Sequence, residues 1–514
     1  MSTTTFGRSD DLFGHPRGLF VCFATEMWER FSFYGMKYLL VLYLVDHHLF
    51  SDGDALRLLG AYSALVYAMP LLGGIVSDRY LGQTQSVQIG AVLLVAGHFA
   101  MAFEGTPAML GDGGNVIRDE TAISTFYLAL ALIIVGVGLL KPNISTVVGQ
   151  LYGDADPRRD GGFTIFYMGI NVGAASAALL CGWLADAYGW SYGFGAAGIG
   201  MLLGLLIFNG GQSWLGGKGD AKNPELLAAK TSVSLNLLTL KQTIYAGCLV
   251  AVGLVWLMMQ RPSDIGLLLP VVSAAFMAWF SWLLVTQCDN SERGKMTALF
   301  FLIVTSTVFW SMFEQSGGSM TLFAERATNL SLFGLNLTAA QFGSANAIFI
   351  IILSPLFALL WPALLSQNIE PTTPAKFGFG IMQVGLGFGA LLIGINNPDA
   401  AGLVSAWWLV LAYFLHTSAE LCLSPVGLSA VTKLSIARYV GVMMGAWFLA
   451  SAYGSYLASE LAIFFSSVEG SADGRLGAEG FSLLFTELLV YGVALGVAVL
   501  LVSPLIRRLM GNVR

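Results

Sequence analysis

Four charged residues that could move a proton or hold an ion lie close together in an apolar stretch near the start of the chain: Glu26, Glu29, Arg30 and Lys37. In a helix, at 100° per residue, they fall on or beside one stripe, which Phe33 shares. A neighbouring cation favours the charged form of a carboxylate and burial disfavours it, so a proton could be exchanged when the local field changes. A purely structural ion network is the alternative, but removing charges from water usually costs more than pairing returns. The stripe therefore predicts a proton-coupling device.

Three further ionisable residues lie inside apolar stretches, namely Lys141, Glu314 and Glu420. An ionisable group in a bilayer costs at least ~2.5 kcal/mol, so each is expected to face a protein interior and to serve a function. Each carboxylate shares a helix face with an aromatic ring, because Trp310 and His416 stand four residues earlier. We interpret Trp310 as a candidate site residue and His416 as a hydrogen-bonded packing residue.

The composition places the elements that carry these residues in a lipid bilayer. The chain has 514 residues, of which 56% are hydrophobic and 11% charged, with a mean hydropathy of +0.72. A soluble domain carries about a quarter charged residues. The net charge of -6 and the lack of a basic block argue against nucleic acid as a partner. The five cysteines stand singly, without the spacing of metal ligands or disulfide frameworks.

The apolar runs predict an all-α polytopic membrane protein with fourteen spanning helices and no separate soluble domain. An N-terminal six-helix bundle (1–215) would have helices at 17–46, 55–78, 85–104, 122–149, 161–182 and 189–212. A cytoplasmic linker with an inserted helix pair (216–295) would have helices at 240–260 and 264–287. A C-terminal six-helix bundle (296–514) would have helices at 297–323, 339–367, 376–396, 402–432, 440–464 and 480–506.

The distribution of lysine and arginine predicts the orientation, because cytoplasmic loops carry an excess of these residues. With both termini inside, 17 of the 25 basic residues fall in cytoplasmic segments and five fall outside. The remaining three, Arg30, Lys37 and Lys141, lie within predicted spans. We therefore expect both termini on the cytoplasmic side.

Several runs of the sequence match one known family. The run Glu26-Met27-Trp28-Glu29-Arg30, continued to Met36, resembles the ExxER motif of the proton-dependent oligopeptide transporters in the major facilitator superfamily. Residues 73–82 (GGIVSDRYLG) resemble the family's motif between the second and third helices, and residues 166–173 (FYMGINVG) resemble its fifth-helix motif. Similar runs also lie at 138–145, 309–315 and 420–429.

This resemblance implies a fold and an activity. The fold would be the major facilitator fold, two six-helix bundles that rock in alternating access, plus the inserted helix pair that bacterial members carry. The activity would be symport of di- and tripeptides with protons, with no enzymatic step and no cofactor besides the proton as coupling ion. We expect the chain to act as a monomer in the inner (plasma) membrane of a bacterium, with peptides, protons and the lipid bilayer as its partners.

The resemblance also implies roles for individual residues. The proton-coupling set would be Glu26, Glu29, Arg30 and Glu314. The peptide carboxylate would bind Lys141, and the peptide amine would bind Glu420. The asparagines among the other substrate-binding residues would contact the peptide backbone, and the aromatic residues would surround its side chains. These other residues are Tyr34, Lys37, Tyr67, Asn171, Trp310, Asn346, Ser424 and Trp447. Glu314 is also expected to form a gating salt bridge with Lys37.

Two positions depart from the pattern of the family. Many members have two tyrosines where this chain has Phe33 and Tyr34, and arginine where Lys37 stands. Lysine cannot make the planar, bidentate contact that arginine makes, so the gate is expected to be weaker. The histidine of animal relatives in the second helix is absent near Gly60 and Ala61, so protonation here must rely on carboxylates.

Three other functions fit the sequence less well. Plant relatives carry nitrate and other small anions, but a bare anion needs no partner for an amine, so Glu420 favours a peptide. An intramembrane hydrolase would need paired metal ligands or a serine–histidine dyad, and the sequence has no HExxH or GxSxG run. A channel is disfavoured because a charge clamp in the membrane binds too tightly for fast conduction.

Overall fold

A computed structural model of the chain describes residues 11–153, 156–231, 233, 237–468 and 475–511. Two of the basic residues counted for the orientation, Arg8 and Arg514, lie outside the described residues, as do residues 232 and 234–236 of the linker.

Fourteen long helices follow one another along the described chain. They are α1 Arg17–Leu42, α2 Asp52–Val76, α3 Gln83–Met101, α4 Glu120–Gln150, α5 Arg159–Tyr188, α6 Trp190–Gly210, α7 Leu240–Met259, α8 Pro262–Thr286, α9 Asn290–Phe313, α10 Ser344–Ser366, α11 Thr373–Ile395, α12 Ala406–Leu434, α13 Val440–Val468 and α14 Ala478–Leu509. Each predicted helix therefore has its counterpart.

Short elements lie in the connections. The helical ones are Tyr43–His47, Ser77–Leu81, Gln212–Leu215, Pro224–Ala228, Glu314–Gly317, Ser319–Ala327, Ala339–Gly343 and Ala437–Tyr439. The strands are β1 Asp11–Leu12, β2 His15–Pro16, β3 Met109–Leu110, β4 Val116–Ile117, β5 Thr328–Asn329, β6 Ser331–Leu332, β7 Leu335–Asn336 and β8 Val404–Ser405. β5 and β8 pair in parallel, and the other strands pair as antiparallel neighbours.

Thirteen helices in the described part of the chain are long and apolar enough to cross a membrane, which confirms the polytopic membrane class. α1 has 26 residues but is not among the thirteen. Its apolar sequence is interrupted by the four charged residues of the stripe. The long helix with the most charged residues, α1, is thus the one that carries the predicted proton-coupling residues.

Four helix boundaries differ from the prediction by more than four residues: the end of α5, both ends of α9 and the start of α10, which a 3₁₀ turn precedes. α5 continues to Tyr188 rather than 182, and it ends where Gly189 adopts a φ of +106°, a conformation that favours glycine. α9 begins at Asn290 rather than 297, because Asp289 and Glu292 form a capping box that satisfies the first backbone N–H groups. A polar cap thus carries the start of α9 beyond its apolar run, whereas α5 continues until a glycine ends it.

The helix that carries Glu314 is broken at that residue. α9 ends at Phe313, the 3₁₀ turn Glu314–Gly317 follows, and a second helix runs over Ser319–Ala327. Glu314 is the C-cap residue of α9, so its side chain projects from a helix end rather than from the middle of a regular helix.

The described chain forms two compact units. Unit 1 contains Met1–Leu39 and Ala68–Gln260, and unit 2 contains Leu40–Tyr67 and Arg261–Arg514. The chain passes between them within α1, within α2 and at the joint between α7 and α8. The division into two bundles of six with a separate linker stays a prediction.

Small residues bring the helices of unit 1 close together. A Cβ atom on Gly173 of α5 would lie 2.1 Å from the backbone oxygen of Met27 in α1, and one on Gly73 of α2 would lie 1.9 Å from that of Gly138 in α4. Such contacts allow helix backbones to approach each other in a bilayer. The glycines of these motif runs therefore act in packing, and they fix the positions of the charged residues beside them.

The two inserted helices have different partners. In unit 1, α7 packs against α4, and Trp256 Nε1 donates a hydrogen bond to Ser124 O at 3.2 Å. In unit 2, Ser273 Oγ of α8 donates to Tyr453 OH at 2.8 Å, and Phe280 stacks on Phe300 with 5.1 Å between ring centroids. The insertion therefore contributes one helix to each unit.

Candidate functional site

The charged stripe of α1 forms a compact ion cluster in unit 1. Arg30 Nε donates to Glu29 Oε2 and lies 3.2 Å from Glu26 Oε1. The three side chains are almost fully buried, with relative exposures of 3% for Glu26, 0% for Glu29 and 4% for Arg30. The guanidinium also lies over the Phe33 ring, 5.2 Å from its centroid. The predicted charged face of α1 is therefore confirmed, and the Arg30 guanidinium pairs with both carboxylates.

This cluster leaves part of its hydrogen-bonding capacity unused. Glu26 Oε2, Glu29 Oε1 and Arg30 Nη2 are buried and have no hydrogen-bond partner among the described residues. A buried polar network that is only partly satisfied costs more than a complete one, so stability alone does not explain it. A proton on either carboxylate would supply a missing donor, which suits a site that gains and loses a proton.

Lys141 of α4 belongs to the same electrostatic neighbourhood. Its ammonium interacts with the charges of Glu26, Glu29, Arg30 and Lys37. Lys141 is partly buried and Lys37 is 5% exposed. The residue expected to hold a peptide carboxylate and the residues expected to exchange protons therefore lie within one charged group of unit 1.

Two other predicted residues of unit 1 lie near this group along their helices. Tyr34 of α1 is partly buried, with its ring 5.2 Å from that of Phe33 and 6.2 Å from that of Tyr38, measured between centroids. Asn171 of α5 is 4% exposed, and its Nδ2 donates to Tyr167 O at 3.0 Å. That amide therefore uses one donor on its own helix, while its oxygen stays available as an acceptor.

In unit 2, α10 and α12 bring two predicted substrate-binding residues into direct contact. Asn346 Nδ2 donates to Glu420 Oε2 at 3.0 Å and to Thr417 Oγ1 at 3.1 Å. Thr417 Oγ1 itself donates to Tyr413 O at 2.7 Å, which fixes the hydroxyl. Ser424 lies one turn beyond Glu420 on α12 and is partly buried. The amide thus orients the carboxylate, and Thr417 orients the amide.

Thr417 is not among the site residues predicted from the sequence. It precedes Glu420 by three residues on a helix, so the two share a face. That spacing was the available signal, but hydroxyls in membrane helices commonly bond their own backbone, and only the position of Asn346 shows a second use.

Glu314 and Tyr67 lie together in unit 2. Glu314 is 8% exposed, and Tyr67 OH lies 3.4 Å from its Oε1, a long hydrogen bond. Both residues were predicted as functional, in different roles. The structure places the phenol beside the carboxylate at the break after α9.

The two predicted tryptophans of unit 2 have different surroundings. Trp310 is partly buried, packs closely on Gly454, and has a buried Nε1 with no hydrogen-bond partner among the described residues. Trp447 is 3% exposed and lies over Gly427, where a Cβ atom would come within 2.0 Å of Cη2. Its ring is also 6.2 Å from that of Phe377. Trp447 thus packs inside unit 2, whereas Trp310 offers a donor.

His416 is a hydrogen-bonded packing residue, as predicted. It is 2% exposed, its Nε2 lies 3.1 Å from Val384 O, and its ring lies 4.8 Å from that of Phe388. Among the described residues, no group of three or more metal-ligating side chains occurs.

Comparison with known proteins identifies the family. The profile of the POT family (PTR2) matches residues 84–477. The chain belongs to the POT family. It is 35% identical to the peptide transporter YePEPT of Yersinia enterocolitica over 99% of this chain and 98% of that protein. It is 32% identical to a di-/tripeptide transporter of Lactococcus lactis over 98% of each chain.

Solved structures of POT family members have the same fold. A crystal structure of a peptide transporter POT in complex with sulfate has a TM-score of 0.82, with 33% identity over 98% of this chain and 97% of that one. The chain therefore has the major facilitator fold of a POT transporter. Membership in a transporter family also decides against the intramembrane hydrolase.

Proposed function

We propose that this chain is a proton-coupled symporter of di- and tripeptides that works by alternating access. The POT family and the peptide transporters that the chain resembles over almost its whole length support this proposal. The observation that carries it is the contact of Asn346 with Glu420, because an oriented carboxylate suits the amine that every peptide presents.

Coupling would take place in unit 1. A peptide carboxylate that binds Lys141 adds a negative charge to a group that already contains Glu26 and Glu29. Additional negative charge favours the protonated form of a neighbouring carboxylate. Binding of the peptide and uptake of a proton would therefore favour each other, which is the requirement for symport.

Recognition would use the parts that all peptides share. Glu420 would bind the amine and Lys141 the carboxylate, while Asn171 and Asn346 would contact the backbone. The side-chain pockets would be formed by Tyr34, Tyr67, Trp310 and Trp447, and Ser424 would be a further substrate-binding residue. Selectivity would then depend on the termini and the backbone rather than on side chains, so many peptides could bind.

The transporter would also have a gate and a defined location in the cell. Lys37 and Glu314 would form a salt bridge that opens and closes with the transport cycle. The protein would act as a monomer in a bacterial inner membrane with both termini in the cytoplasm, as the basic loops indicate. It would need no cofactor besides the proton.

An uptake assay in proteoliposomes tests the proposal. A pH gradient should drive accumulation of one labelled dipeptide and one labelled tripeptide, and unlabelled peptides should compete while nitrate should not. Saturable nitrate uptake that peptides do not inhibit would contradict the peptide assignment. Peptide accumulation that is independent of the pH gradient would contradict proton coupling.

A further inference from the structure

Unit 1 contains a cavity of about 650 Å³ beside the C-terminal end of α4. None of its lining residues belongs to the ion cluster of α1. Its walls include Ser145 and Gly149 of α4, Arg159 and Phe163 of α5, and Lys218 of the following linker. The volume lies within the range of small-molecule sites, about 300–1,000 Å³. Two cations from different elements therefore face one space of the size of a small peptide.

Among the described residues, no carboxylate lies within ion-pair distance of the Arg159 guanidinium or the Lys218 ammonium. The preceding residue shows the contrast, since Arg158 pairs with Asp11 at 2.7 Å and with Asp156 at 2.8 Å. Hydrogen bonds from Arg158 lower the pKa of Asp156 to about 2, so this pair stays ionised. Arg158 is thus used in ion pairs that stabilise the fold, whereas the adjacent Arg159 lines the cavity.

The loop that carries Lys218 is fixed in place. Gly217 and Gly219 have φ values of +74° and +82°, which favour glycine. Thr84 Oγ1 donates to Lys218 O at 2.9 Å, and Gly219 N donates to Gln150 Oε1 at 2.8 Å. These bonds fix the backbone of the loop, so the exposed side chain of Lys218 starts from a defined position beside the cavity.

The cavity adjoins the face of α4 that carries Lys141 and extends around the helix from it. On a helical wheel Ser145 lies about 40° and Gly149 about 80° from Lys141, while the other two α4 residues of the lining lie beyond about 100°, and eight residues span about 12 Å along the axis. The Arg159 guanidinium reaches this face, because a Cβ atom on Gly149 would lie 3.5 Å from its Nη2. By the basic-residue rule, this end of unit 1 is the cytoplasmic one.

We propose that this cavity is an exit subsite for the carboxylate of the transported peptide. This inference rests on the proposed function. A carboxylate that leaves Lys141 would meet Arg159 and Lys218 about two turns further towards the cytoplasmic end of α4, in a more exposed place where it binds more weakly. A second, weaker cationic site lowers the free-energy barrier to release of the peptide. With a single binding site, the whole interaction with the carboxylate would have to be lost in one step.

The test compares wild type with Arg159→Gln, Lys218→Gln and the double variant in proteoliposomes. Turnover at saturating dipeptide should fall about fivefold in the double variant, the effect of losing roughly 1 kcal/mol of charge interaction, while the Kd at the central site stays within about twofold. Lys222→Gln removes an exposed cation of the same linker and should leave turnover unchanged. An unchanged Kd also shows that the variants fold, and Arg159→Lys should restore most of the turnover.

Two further measurements distinguish a peptide ligand from a lipid headgroup, and failure of the subsite from failure of the proposed function. The same loss in neutral phosphatidylcholine vesicles and in vesicles with added anionic lipid supports the exit subsite. A loss that occurs only with anionic lipid would overturn it in favour of a lipid headgroup site. Normal turnover in the double variant would overturn the subsite alone, whereas absence of peptide uptake by wild type would overturn the proposed function together with it.

Discussion

The α1 cluster and the Glu420 site hold their carboxylates in different ways. In unit 1, Glu26 and Glu29 both pair with Arg30, and one oxygen of each carboxylate has no hydrogen-bond partner among the described residues. In unit 2, Glu420 accepts a hydrogen bond from the neutral amide of Asn346, which Thr417 supports. The first arrangement combines charge with unmet hydrogen bonding, and the second orients a carboxylate without adding a charge at that contact.

This difference suits two kinds of cargo. A proton is small and is bound by a covalent bond to oxygen, so a buried oxygen that lacks a partner can receive it without moving its neighbours. An ammonium group needs a carboxylate in a defined direction and keeps most of its own charge, so a neutral orienting group is preferable to a competing cation. The two regions can therefore be tested separately.

The largest effect should come from Glu29→Gln. The variant keeps the shape of the side chain and one acceptor but cannot exchange a proton, so accumulation driven by a pH gradient should fall to the level without a gradient. Peptide counterflow should be at least partly retained, because it needs no net proton movement. Glu225→Gln, which changes an exposed linker carboxylate, serves as the control. Unchanged accumulation in Glu29→Gln would remove the proton assignment.

The next effect should come from Glu420→Gln. Hydrogen bonds to charged groups contribute about 1.5–3 kcal/mol, so the Kd of a dipeptide should rise roughly 10- to 100-fold. A desamino analogue of the same dipeptide should bind wild type and variant equally, since it has no amine to lose contact with. A calorimetric titration measures both ligands. An equal loss for both would mean that Glu420 acts on the fold and not on the amine.

A smaller effect is expected from the groups that orient Glu420. Thr417→Val removes the hydroxyl and keeps the shape, so Asn346 loses one of its two acceptors. The Kd of the dipeptide should rise by about three- to fivefold, as expected for one hydrogen bond worth roughly 1 kcal/mol. Proton-driven coupling of the peptide that still binds should be unchanged. A loss of coupling would show that the two regions do not act separately.

The smallest effect should follow Trp310→Phe. The buried Nε1 has no hydrogen-bond partner among the described residues, so its removal leaves no acceptor behind. The thermal unfolding temperature should stay the same or rise slightly, because an unsatisfied buried donor costs free energy. A clear fall in that temperature would indicate a partner for the indole. Binding of peptides with small side chains should change by no more than about twofold.

Much of the fold could be predicted from the sequence, because lipid imposes simple rules. A span needs about 20 apolar residues in a helix, so the apolar runs predict the helices of both units. The start of α9 was missed because a polar capping box extends the helix past its apolar run, and its end was missed because a 3₁₀ turn interrupts the helix. α5 continues to a glycine beyond its predicted end. Among the site residues, the stripe of α1 followed from helical periodicity alone, because its members lie within three turns of one helix.

The sequence by itself determined the membrane class, the helices, the charged face of α1 and the resemblance to the POT family. These are local properties, set by hydrophobicity and by the 3.6-residue period. Only the tertiary structure decided that Lys141 joins the α1 cluster, that Asn346 orients Glu420, and that Arg159 faces a cavity while Arg158 is paired. Those contacts join distant parts of the chain, and their geometry depends on how glycine-lined helices pack, which no local pattern specifies.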